Sequence, residues 1–233
     1  MTAIQNFIFG ELKGWHWAEV AWLAFSVTLC VICSIVVNDT PIAMIAAVTG
    51  TIYTMLAGKG KLSCYAFGLI NVLTYASVSY TSELYGEVIL NLLWYFPMMF
   101  VGAFFWSKNL SNNQIIKKER LTARGRFVAA SLLFCGMVAF ANFVLIPLGD
   151  SQPFVDSFTT VAQMVAMALT VRRCIEQWIL WCIINAVSIF MWVRAAMDNG
   201  PDVMIVMWSL WFINSVVFLI QWIKATKQET YQK

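Results

Sequence analysis

The sequence predicts an all-α, polytopic membrane protein with eight transmembrane helices. Three observations carry that expectation. The first is composition: of 233 residues, 61% are apolar and 12% charged, and mean hydropathy is +0.73. A soluble domain carries about 25% charged and about 45–50% apolar residues. So little polar side chain cannot cover a globule of this size, which sets aside a soluble enzyme, a disordered chain and a nucleic-acid binder. The second is the recurrence of apolar segments near the roughly 20 residues that a helix needs to cross a bilayer. The third is charge placement. With the N-terminus inside, Lys13, Lys59, Lys61, Lys108, Lys117, Lys118, Arg120, Arg124, Arg126, Arg172, Arg173, Lys224, Lys227 and Lys233 fall on the inner side, and of the 15 basic residues only Arg194 falls outside. Asp39, Glu83, Asp150, Asp156, Asp198 and Asp202 fall outside. Such a Lys/Arg bias sets orientation, so both termini are expected in the cytoplasm.

The elements follow in order. Residues 2–19 have no basic leader and no small-residue cleavage site, so no cleaved signal is expected. Phe7, Phe9, Trp15 and Trp17 read as an interfacial lead-in to a first span at about 20–37. Asn38-Asp39-Thr40-Pro41 turns the chain into a span at 41–57, with Pro41 suited to a first helical turn. The basic hairpin Gly58-Lys59-Gly60-Lys61 leads to 62–80, and 87–106 follows. The polar stretch 107–125 reads as a cytoplasmic loop facing anionic lipid. Then come 126–147, 154–171, 177–197 and, after Asp198-Asn199-Gly200-Pro201, 202–223.

A shift of 114 residues sets Asn71 against Asn185, Gly86 against Gly200, Trp94 against Trp208 and Phe67 against Trp181, and sets Gly58-Lys59 against Arg172-Arg173. The expected organisation is therefore an N-terminal segment with an extra helix (1–40), a three-helix bundle (41–106), a basic loop and linker helix (107–148), a second three-helix bundle (149–223) and a cytoplasmic tail (224–233). One linker span between two three-span copies makes the repeat parallel, a 3+1+3 arrangement about an axis along the membrane normal.

Polar residues inside spans face the bundle interior and are candidates for function. They are Asn71, Asn91, Asn142, Gln163, Asn185 and Asn214, with Thr49, Thr51, Tyr53, Thr74, Tyr75 and Tyr95. Phe67/Asn71, Trp181/Asn185 and Asn91/Tyr95 are i, i+4 pairs, and Asn91/Trp94 and Trp211/Asn214 are i, i+3 pairs, so each shares a helix face. An amide beside a ring suits a small planar ligand with hydroxyls and an amide. The alternative role is interhelical hydrogen bonding, and Asn142, in the linker span, is assigned to it. Trp94, Trp178, Trp181, Trp208 and Trp211 lie near polar partners; Trp15, Trp17, Trp22, Trp106, Trp192 and Trp222 read as interfacial belt or packing. Gly50, Gly68 and Gly102, with Pro41, Pro97 and Pro147, are expected at close-packing or hinge positions.

Equally informative are absences in the sequence. Glu87, Glu176 and Arg194 are placed near span ends, so no carboxylate is expected deep in the membrane, which favours passive transport over ion coupling. His16 stands alone and Cys30/Cys33 lie in an apolar run, so no metal, cofactor or catalytic centre is expected.

Trp178-Ile-Leu-Trp181-Cys-Ile-Ile-Asn185 with Trp192 downstream, the Asn71 segment, and Asn91-Leu-Leu-Trp94-Tyr95 resemble the PnuC family of vitamin transporters over about 20–223. The resemblance implies a fold similar to the SWEET sugar transporters and facilitated uptake of nicotinamide riboside. It also implies trapping by cytoplasmic phosphorylation, and a homotrimer in the bacterial inner membrane in contact with lipid. Thiamine, riboflavin and deoxynucleosides are alternative substrates, and a capture subunit needing a partner is an alternative role. By motif, Trp181 and Asn185 would be ligand residues and Asn71 their repeat counterpart, although Phe67 replaces tryptophan in the first copy. Asn91, Trp94, Tyr95, Gln163, Trp178, Trp208, Asn214 and Phe67 complete the candidate substrate site.

Overall fold

Inside hydrocarbon, each backbone N–H and C=O must be satisfied within its own segment, which makes helix the default for these apolar runs. The computed structural model describes residues 10–11, 13–110, 116–147, 153–197 and 201–231. Eight long helices run through the described residues: α1 (Trp17–Val36), α2 (Pro41–Lys59), α3 (Cys64–Thr81), α4 (Tyr85–Ser107), α5 (Ala123–Leu145), α6 (Pro153–Val171), α7 (Gln177–Met197) and α8 (Val203–Tyr231). Six are long and apolar enough to cross a membrane; α3 and α6 are the others, and they carry Asn71 and Gln163. Most boundaries lie within three residues of expectation, and the end of α8 departs furthest. α1 starts at Trp17, where the Glu19 carboxylate accepts from the His16 N–H at 2.9 Å. α4 starts at Tyr85 and α5 at Ala123, behind a Thr122 cap. α8 continues through most of the expected tail to Tyr231.

Packing comes in matched pairs. α2 lies on α3 as α6 lies on α7; α3 meets α4 as α7 meets α8; α2 meets α8 as α6 meets α4. α1 rests on α2 and α8, and α5 rests on α6. Helix ends are closed by local chemistry. Thr40 accepts from the Ala43 N–H at 3.2 Å, with Pro41 in the first turn, and α2 ends on Gly60 at φ 71°, a left-handed position suited to glycine. In both α4 and α5 the chain widens into a π turn, at Asn91–Tyr95 and Ala141–Leu145, two residues before Pro97 and Pro147. Proline's ring collides with the carbonyl four residues back, and in each case that carbonyl belongs to the widened turn.

Three tryptophans expected at a belt or in packing settle in the core. Trp106, Trp192 and Trp222 are fully buried, and their indole N–H groups donate to Thr170 O (3.1 Å), Tyr75 Oη (2.8 Å) and Gly58 O (2.7 Å). Trp17 is exposed, as an interfacial residue would be, and Phe7 and Phe9 lie outside the described residues.

The basic end of the bundle is more ordered than a lipid-facing loop requires. Lys61 is fully buried, donating to Gly10 O (2.5 Å) and Lys13 O (2.8 Å). Burial pushes its ammonium below the usual lysine value, against the pull of Glu11. Lys59 pairs with Glu19 at 2.7 Å. Ile116, buried, donates to Gly60 O at 3.1 Å. Glu119 N–H donates to Arg173 O (2.9 Å), Ile175 N–H returns to Glu119 O (3.0 Å), and the Glu119 and Arg173 side chains pair. The loop before α5 thus fastens both basic hairpins together. At the opposite end Asp39 accepts from the Val203 N–H at 2.9 Å, and burial raises its carboxyl above the usual aspartate value.

Gly58 lies under the ring of Phe218: a Cβ there would sit 2.1 Å from Phe218 Cδ2. Gly58→Ala is expected to destabilise by about 1–3 kcal/mol, the usual range for overpacking, read as a lower thermal unfolding temperature in detergent.

Candidate functional site

Two internal cavities follow the bundle axis. The upper one, with a cavity volume of about 40 Å³, lies between α2, α3, α4, α6, α7 and α8 and takes its polar lining from Asn71, Tyr75, Glu87, Asn91, Tyr95 and Gln163. The lower one, with a cavity volume of about 30 Å³, lies nearer the basic hairpins and is lined by Thr54, Thr170, Gln177, Trp178, Asn185 and Ser215. Tyr53, Trp181 and Trp211 line both. Tyr53 and Trp211 have ring centroids 6.4 Å apart, so these rings form a thin aromatic partition.

The upper chamber is built by cross-helix hydrogen bonds. Asn71 on α3 donates to Ala46 O on α2 at 2.8 Å. The two helices approach closely at Gly50, where a Cβ would sit 2.6 Å from Asn71 Nδ2 and from Trp211 Cζ2. Tyr95 Oη donates to Gln163 Oε1 (3.0 Å), and Gln163 Nε2 donates to Glu87 Oε1 (2.9 Å). This chain fixes the Gln163 amide and presents the carboxyl, whose Oε2 is buried without a hydrogen-bond partner. Asn91 donates to Glu87 O at 2.8 Å inside the widened turn. The Trp208 and Trp211 rings meet at a tilt of 58° with centroids 4.8 Å apart, and the Trp211 indole N–H has no partner.

Glu87 corrects the sequence reading. Its place near the start of α4 suggested a solvated end, but the chamber lies level with the first turns of that helix and Gln163 of α6 holds the carboxyl inward. The signal was present: Glu87, Asn91 and Tyr95 recur every four residues on one face. Tyr53 and Trp211 stood among the polar and tryptophan candidates without being chosen, and only the tertiary fold reveals that they meet.

Of the other candidates, Asn71, Asn91, Tyr95, Gln163 and Trp208 gather in the upper chamber, Trp178 and Asn185 in the lower, and Trp181 between them. Asn71 and Asn185, related by the shift of 114, therefore line different chambers. Three candidates line neither. Asn214 accepts from Trp22 Nε1 (2.9 Å) and donates to Thr54 Oγ1 (3.1 Å), joining α1, α8 and α2. Phe67 packs in the core, and Trp94 borders an apolar groove of α4, α5 and α6. Asn142, assigned to interhelical bonding, instead donates to Val138 O of its own helix at 2.8 Å.

Neither chamber has a Lys, Arg or His among its lining residues. The upper one offers a carboxyl, amides and large ring faces, a set that favours a planar organic cation carrying hydrogen-bonding groups.

Comparison with known proteins places this geometry. Residues 40–224 match the family described as nicotinamide mononucleotide transporters. Nicotinamide riboside transporters PnuC of Neisseria mucosa and Haemophilus influenzae are similar. The first is 38% identical over 191 residues, covering 80% of this chain and 73% of that one. The second is 33% identical over 186 residues, covering 78% and 82%. The Escherichia coli protein of the same name is 29% identical over 176 residues, 65% and 73%. A crystal structure of the vitamin B3 transporter PnuC superposes with a TM-score of 0.85 at 34% identity, covering 97% of each chain.

Asn214→Ala is expected to lower stability by about 0.6–1.7 kcal/mol, the range for interhelical bonds in membranes. Ligand affinity should stay unchanged, and calorimetry beside a thermal melt checks both.

Proposed function

This chain belongs to the nicotinamide mononucleotide transporter (PnuC) family, a multi-pass membrane transporter family, and from that premise we propose that it takes up nicotinamide riboside. The observation that carries the reading is the Glu87 carboxyl facing aromatic walls and amides in a chamber lined by no basic side chain. The family description and the relatives' names differ by a phosphate. A phosphate group calls for Arg, Lys or a helix N-terminus to receive it, and a lone carboxylate repels it. The riboside, with a pyridinium ring, a carboxamide and ribose hydroxyls, matches the lining; the mononucleotide does not. Trp181, Trp208 and Trp211 would flank the ring, while Asn71, Asn91 and Gln163 would meet its amide and hydroxyls.

The mechanism follows from the matched helix contacts. They support a parallel 3+1+3 repeat of eight membrane helices, with two bundles that rock about the chambers in alternating access; α1 on α2 and α5 on α6 extend the correspondence. Transport is passive. The carboxyl that the sequence reading placed near a span end serves as counter-charge for the substrate, not as a proton carrier. Cytoplasmic phosphorylation then withdraws the product. The gathering of basic loops at one end, with Asp39 and Asp202 at the other, supports cytoplasmic termini in a bacterial inner membrane. The homotrimer implied by the resemblance completes the reading.

Purified protein in liposomes should take up radiolabelled nicotinamide riboside and not the mononucleotide, independently of protonophores; equal uptake of the mononucleotide would overturn the assignment. Glu87→Gln should weaken riboside binding by about tenfold or more, equal to about 1.4 kcal/mol. Asn185→Ala should weaken it less steeply while the protein still folds.

A further inference from the structure

The lower chamber has its own unfilled chemistry. Its threonine and serine hydroxyls are spent. Thr170 donates to Ala166 O and accepts from Trp181 Nε1. Ser215 donates to Trp211 O and accepts from Asn185 Nδ2. Thr54 donates to Thr51 O and accepts from Asn214. Four groups remain: the Gln177 amide nitrogen, the Trp178 indole N–H, the Asn185 amide oxygen and, on the partition shared with the upper chamber, the Trp211 indole N–H, each buried without a partner. Gln177 and Asn185 are 1% exposed and Trp178 is 4% exposed. Orientation of the Asn185 amide is set by its bond to Ser215 (2.9 Å), whose own hydrogen is committed, so Oδ1 is left free.

Leaving such groups unsatisfied in a membrane protein is costly, and the residues that carry them line the same cavity. Donors together with one acceptor, and no charged residue in the lining, are a poor site for an ion. They match a neutral group that both donates and accepts, such as the vicinal hydroxyls of a ribosyl unit.

We propose that the lower chamber is a second ligand station, selective for the uncharged ribosyl part of the substrate and separated from the cation-selective upper chamber by Tyr53, Trp181 and Trp211. This rests on the riboside reading above and adds to it that Gln177 and Trp178 recognise the sugar, with Asn185 accepting from it. A passing riboside is handed from a site that reads charge to one that reads hydroxyls.

The two halves of the ligand test it on the full-length protein in detergent. 1-Methylnicotinamide carries the cationic ring without the sugar, and methyl β-D-ribofuranoside carries the sugar without the ring. Both should bind at once, so saturation with one leaves the apparent Kd of the other within about twofold. Gln177→Leu should weaken the ribofuranoside at least fivefold more than the cation, and Glu87→Gln should do the reverse. Trp178→Phe keeps the ring and removes the N–H, so it carries the test should Gln177→Leu fail to fold. Mutual competition, equal effects of each variant on both probes, or no binding of the ribofuranoside overturns the second station. Uptake of intact riboside by the unaltered protein is measured alongside. Its loss would instead defeat the functional reading itself.

Discussion

A carboxyl group held inside a bundle that faces hydrocarbon on most sides is the constraint around which this molecule is arranged. An unpaired charge in low dielectric is expensive, and partners must be built for it. The Tyr95–Gln163–Glu87 chain supplies part of that support from α4 and α6, two helices from opposite halves of the chain. Because Gln163 uses its carbonyl for Tyr95 and its amide nitrogen for Glu87, each contact fixes the next. Breaking it at either end leaves a buried polar atom unsatisfied, so recognition chemistry and bundle assembly are coupled through the same side chains.

Much of the fold was legible in the sequence because its determinants are local. Apolar length, the Thr40-Pro41 start and the Gly60 stop speak for single helices. What was not legible depends on depth and on distant partners. Glu87 lies in a first turn, where sequence position implies water, and Gln163, 76 residues away, reverses that. Asn214 and Asn185 look alike as amides beside tryptophans. One is consumed by Trp22 and Thr54, and the other keeps a free oxygen. Neither outcome can be read from helical spacing, since the partners come from other helices.

The basic loops show a similar division. Their sign was evident from the sequence and their work was not. Lys61 is not a lipid-facing charge; it receives the N-terminal segment through two carbonyls. Glu119 joins the loop before α5 to the second hairpin, while Ile116 joins it to the first. What looks like a spacer between halves is a main-chain fastening across them.

The π turn of α4 has a mechanical meaning. A regular helix resists bending because each bend strains hydrogen bonds already made. At Asn91–Tyr95 that ladder is widened, and Pro97 donates no bond to it. The segment bearing Glu87 is therefore a lever with its fulcrum built in during folding. In the proposed reading, the helix that carries the substrate's counter-charge is also one of the two whose ladder is opened by a widened turn and a proline, so binding there bears on an element able to bend.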